Sequence, residues 1–110
     1  MSRADKIAII ISLAAIFLTS MVSSRVFDNM AHIEDEMAYV WQAQTIAEAG
    51  RLTLPTPVCP RCFLVPFVDD YQGIRFGKYP PAWPVVLAFG IRLGIRQWIN
   101  PFLAGLAVWL

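Results

Sequence analysis

The chain carries little charge and almost no imbalance of it. Nine Lys and Arg stand against eight Asp and Glu, a formal net charge of +1, and charged residues make up 15% of the whole. A nucleic-acid-binding surface needs a basic excess, so that class is excluded. Disorder needs low hydrophobicity with high net charge, and here 57% of the residues are hydrophobic. Histidine is limited to His32 and cysteine to Cys59 and Cys62. A zinc ribbon takes four ligands, and these residues supply at most three, so no metal site is read from them.

What is abundant is apolar sequence. Soluble domains run about 45–50% apolar and about 25% charged. This chain of 110 residues departs from both figures toward lipid, with a mean hydropathy of +0.54. The apolar residues fall in three runs. Ile7 to Val22 contains sixteen residues without a charge, and extended toward Val26 it approaches the ~20 residues of a spanning helix. A second run leads from Tyr79 through Pro80-Pro81-Ala82-Trp83 to Arg92 and Arg96, and a third begins at Trp98 and reaches Leu110. A helix over the last twelve residues would be about 18 Å long against a bilayer core of roughly 30 Å. The pattern predicts an all-α membrane protein with two complete transmembrane helices and a truncated third, over about 7–26, 79–96 and 99–110. An outer loop over about 27–78 bears an interfacial amphipathic helix. The whole reads as the N-terminal piece of a longer protein.

A cleaved signal peptide is the rival for the first run. Its apolar stretch exceeds the usual h-region of about 7–15 residues, and no A-x-A site follows. Arg3 and Lys6 precede this run, and Arg92 and Arg96 follow the second. The segment between holds seven acids and five bases, from Arg25 to Lys78. Basic flanks remain cytoplasmic, which predicts a multi-pass inner-membrane protein with its N-terminus inside and the loop outside. Near the inner face the Arg92 stem can snorkel, while Trp83 and Tyr79 suit an interfacial belt at the opposite end.

Within the loop, Met37 to Ala49 lacks Gly and Pro and is rich in helix formers, with Glu34, Asp35 and Glu36 at its start and Gly50 after its end. Met37, Val40, Trp41 and Ala47 form one apolar face, with Tyr39, Ala43 and Ile46 beside it, an arrangement suited to lying on a membrane surface. Pro55, Pro57, Pro60 and Pro66 predict irregular extended chain from Leu54 to Phe67.

Three features could carry chemistry. Glu34-Asp35-Glu36, followed by Tyr39, could supply a general base or a metal ligand, or could simply stabilise a helix start. Cys59-Pro60-Arg61-Cys62 lacks the βαβ context of a redox motif, and a local disulfide or two thiols remain open. Lys78, within Arg75-Phe76-Gly77-Lys78-Tyr79-Pro80-Pro81, could meet an anionic headgroup or a substrate phosphate.

The order of these pieces resembles the N-terminal part of the polytopic, C-type glycosyltransferases that use a polyprenyl-phosphate sugar donor. The bacterial group related to protein O-mannosyltransferases and lipid A aminoarabinose transferases is the most similar. The resemblance rests on HIEDEMAYVWQAQTIAEAGRL, on GKYPPAWPVVLAFG and on WINPF behind it. It implies a catalytic acid at Asp35 or Glu36, with Asp35 the first choice of base, and donor-phosphate binding by Lys78. Tyr39, Tyr79, Pro80 and Pro81 support the motif, although Tyr79 interrupts the Lys-Pro-Pro element of a sibling family. It implies a polyprenyl-phosphate-linked sugar and the bilayer as partners, beside the absence of nucleic acid already read from the charge, and it fixes no cofactor, with a divalent metal left open. A fragment of this kind is expected to be inactive alone. The alternative is a small non-catalytic multi-span protein or assembly subunit, in which the acids are caps and Lys78 is an anchor.

Overall fold

The computed structural model describes residues 2–110. It is mostly helical, with four α-helices and a small three-stranded sheet, and it divides into two compact units, residues 1–30 with 97–110, and residues 31–96.

In the first unit, helix α1 spans Arg3–Arg25. Ser2 and Asp5 start it through a capping box: the Ser2 hydroxyl accepts from the Asp5 N–H and the Asp5 carboxylate accepts from the Ser2 N–H. Asp5 therefore closes the helix start as well as diluting the basic flank. Beyond Arg25 the backbone turns left-handed at Asp28 and Asn29, and the Asn29 N–H bonds the Ser23 carbonyl. At 1.5 Å per residue its 23 residues measure about 34 Å, and α1 is the one helix among those described that is long and apolar enough to cross a bilayer. Helix α4, Arg96–Trp109, carries Pro101 inside it. Gly105 of α4 lies against α1: its carbonyl accepts the Ser12 hydroxyl, and an added Cβ would run into the Ile16 side chain. A glycine here allows the two backbones to approach closely.

The second unit holds α2 (Glu34–Ala49), β1 (Thr53–Pro55), a 3₁₀ turn (Pro60–Cys62), β2 (Val68–Tyr71), β3 (Ile74–Gly77) and α3 (Ala82–Arg92). The expectation of an all-α chain is corrected by this sheet, whose order is β1-β3-β2 with both pairs antiparallel. The hairpin turns at Gln72-Gly73, both with positive φ, as a two-residue type I′ turn requires. Irregular chain from Leu54 to Phe67 is corrected at its two ordered pieces, β1 and the 3₁₀ turn. Arg75, only 6% exposed, ties these together. It bonds its cross-strand partner Asp70 through two nitrogens, at 2.9 and 2.7 Å, and donates to the carbonyls of Phe63 and Pro60. Cys59 and Cys62 form a disulfide across the 3₁₀ turn.

Helix α3 is shorter than the expected span over 79–96. Prolines 80 and 81 precede it, Pro84 sits in its first turn where no N–H is needed, and Gly94 (φ +70°) follows its end. Its 11 residues measure about 16 Å, roughly half of a bilayer core. α3 packs along α2, whose buried stripe is Ala38, Gln42, Ala43 and Thr45. The expected apolar face is thus only partly the packed one: small residues win because they let the helices close up. Arg92 donates to the Ala47 carbonyl in the last turn of α2 rather than standing free to snorkel.

The guanidinium beside Asp70 holds its carboxyl below the ordinary value of 3.8. The folded state then releases that proton more readily than the unfolded chain. The stabilisation is complete above about pH 3.8 and is lost as pH falls through the lower folded value. Denaturant unfolding of wild type and Asp70→Asn across this range should show a steep acid loss in the first and a flatter one in the second. Parallel losses would contradict the assignment.

Candidate functional site

The first turn of α2 and the segment leading into α3 meet at Tyr79. The Tyr79 hydroxyl donates to Asp35 Oδ1 at 2.5 Å, across 44 positions of sequence. Its carbonyl accepts from Gln42 Nε2 at 3.0 Å, two turns further along α2. Its ring lies 4.8 Å from the Tyr39 ring and meets Phe67 edge-on at 5.7 Å. Lys78 Nζ stands 5.2 Å above the Phe67 ring. Asp35, Tyr39, Lys78 and Tyr79, singled out on separate stretches of sequence, are therefore brought into one cluster, with Phe67 added.

The local backbone explains the gathering. Gly77 closes β3 directly against the Gln42 side chain, where any Cβ would collide with it. The next residue, Lys78, donates its N–H to the Phe67 carbonyl at 2.9 Å. Phe67 itself has φ +55°, a left-handed conformation that costs an aromatic residue energy and is held by its surroundings. These restraints leave Tyr79 only a narrow choice of position over the start of α2. Gln42 is 5% exposed and its Oε1 is buried without a hydrogen-bond partner.

Glu36 plays a different part. Its Oε2 accepts from the His32 backbone N–H at 2.9 Å, so it caps the chain entering α2. Glu34 is exposed at the helix start. Pro80 and Pro81 are exposed residues leading into α3, and they set the chain direction without adding a polar group to the cluster. Phe67 was missed by reading the sequence, since an aromatic between Pro66 and Val68 looks like any loop anchor.

The Asp35 carboxylate shapes the chemistry of its partner. Accepting the hydrogen bond and lying beside the phenol, it disfavours the phenolate, and with burial and the charges of Asp35, Tyr39 and Glu34 the Tyr79 pKa is pushed up to about 12. Tyr79 is thus a fixed donor at neutral pH. Among the described residues no group of three or more His, Cys, Asp and Glu is gathered to hold a metal ion. Asp35 and Glu36 each accept one hydrogen bond from the protein, from the Tyr79 hydroxyl and from the His32 N–H.

Comparison of the chain with protein-family models, with curated proteins and with solved structures finds no match.

Ultraviolet titration should resolve one of the three tyrosines near pH 12, and Asp35→Asn should return it toward 10. Three tyrosines titrating together in the wild type would contradict the Tyr79–Asp35 bond.

Proposed function

We propose that this chain is part of a membrane glycosyltransferase that moves a sugar from a polyprenyl-phosphate donor to an extracytoplasmic acceptor. The observation that carries the reading is the Asp35–Tyr79 hydrogen bond with Lys78 next in the chain, since it joins a carboxylate, a fixed donor and an ammonium group in one surface cluster.

In the reaction the acceptor hydroxyl forms its bond to the anomeric carbon as the bond from that carbon to the phosphate oxygen breaks. Asp35 takes the hydroxyl proton, and Tyr79, holding the carboxylate in place, acts as a positioning residue. Lys78 stabilises the charge gathering on the departing polyprenyl phosphate. The donor's lipid tail stays in the bilayer, which requires such a site at headgroup depth. Support for that location comes from α1, from the basic residues Arg3 and Lys6 ahead of it, and from the Cys59–Cys62 disulfide, a bond that persists in oxidising compartments. On this reading the N-terminus is cytoplasmic, residues 31–96 lie outside the inner membrane, and the chain alone is inactive.

One observation favours the non-catalytic alternative of an assembly subunit: the Glu36 carboxylate caps a backbone N–H. The base role is accordingly placed on Asp35. In a protein carrying this segment with its further spans, Asp35→Asn should lower sugar transfer by about 10²–10⁴-fold at unchanged membrane abundance. Lys78→Ala should raise the donor KM. Wild-type turnover in Asp35→Asn would return the acid to a structural role, and an unchanged donor KM would make Lys78 an anchor.

A further inference from the structure

The Cys59–Cys62 loop is stiff and turns its apolar side chains outward. Val58 is fully exposed, Leu64 79% and Phe63 62% exposed. Their backbone, by contrast, is held from within at many points. Arg75 bonds the carbonyls of Pro60 and Phe63, at 3.2 and 2.8 Å, and the disulfide closes the turn between them. At the two ends of the loop, the Thr56 N–H bonds the Gly73 carbonyl and the Lys78 N–H bonds the Phe67 carbonyl, each at 2.9 Å.

We propose that the loop tip, Val58 with Phe63 and Leu64, inserts into the interfacial region of the lipid bilayer as a second membrane contact of residues 31–96. Three features of the chain select lipid over a protein partner. Residues 56–66 hold one base, Arg61, and no acid, which complements anionic headgroups. Three side chains fall far short of the roughly 800 Å² per partner that a stable protein interface needs, whereas a few apolar groups suffice for interfacial insertion. Only residues 26–30 separate α1 from Ala31, so a chain anchored by α1 carries residues 31–96 on a short connection. Because the loop is already ordered by Arg75 and the disulfide, insertion costs it little conformational entropy.

The inference rests on the membrane anchoring in the proposed function and not on sugar transfer. It is tested with the full chain in vesicles of phosphatidylethanolamine and phosphatidylglycerol, carrying a benzophenone amino acid at Phe63, at Leu64 or, as a reference, at Gln72 of the exposed hairpin turn. Flotation with the vesicles reports anchoring, and mass spectrometry reports adducts to lipid acyl chains. The chain should float, and lipid adducts at 63 and 64 should exceed those at 72 several-fold. Flotation with equal yields at all three positions, or with adducts to protein alone, would overturn the insertion. A chain that does not float would overturn the anchoring and the insertion together.

Discussion

Tyr79 is held at both ends, its carbonyl by the Gln42 amide and its hydroxyl by the Asp35 carboxylate, and the placing of the chain before α3 over the start of α2 follows from that double attachment. The attachment is prepared by glycine. The Gln72-Gly73 turn sets the register of β2 on β3, which leaves Gly77 at the end of β3 facing Gln42, where a side chain could not fit. Lys78 then pairs with Phe67 and Tyr79 comes over the first turn of α2. A surface helix and a loop preceding another helix become one cluster because the intervening hairpin measures out the distance between them.

The same contacts orient the helices. Tyr79, just before α3, reaches the start of α2, while Arg92, at the end of α3, reaches the Ala47 carbonyl near the end of α2. The two helices therefore run in the same general direction. A helix lying on the membrane surface and a partner crossing it cannot satisfy both contacts, since the far end of α3 would carry the end of α2 away with it. The α2–α3 pair is one packed unit with one orientation, and the 11 residues of α3 measure about half the thickness of a bilayer core.

Much of the local structure was legible. The charge-free run from Ile7 announces α1, and the acids at 34–36 with Gly50 bracket α2 because helix ends require those chemistries. The sheet was not, and the reasons lie in particular residues. Val68 to Gly77 reads as a charged stretch with two adjacent aspartates, yet Asp70 is neutralised by its cross-strand Arg75, a pairing only the register reveals. The Gln72-Gly73 pair that turns the hairpin lies beyond the proline-bearing stretch and stands out only once the strands on either side are known. On α2, counting apolar residues pointed to Met37 and Trp41, while packing selected Ala38, Gln42 and Thr45, where small size and a hydrogen bond matter more than hydropathy. The acidic triplet could be located in sequence, but its division of labour could not, since Asp35 and Glu36 differ only in which distant or local donor each meets.

The central claim is that Asp35 and Tyr79 act as a pair, and a double-mutant cycle on stability tests it most directly. Asp35→Asn, Tyr79→Phe and the combined variant would be unfolded by denaturant under one set of conditions. The account predicts that the double variant loses clearly less stability than the sum of the two single losses. Strictly additive losses would mean that the carboxylate and the phenol do not interact, and the cluster on which the proposed chemistry depends would not exist.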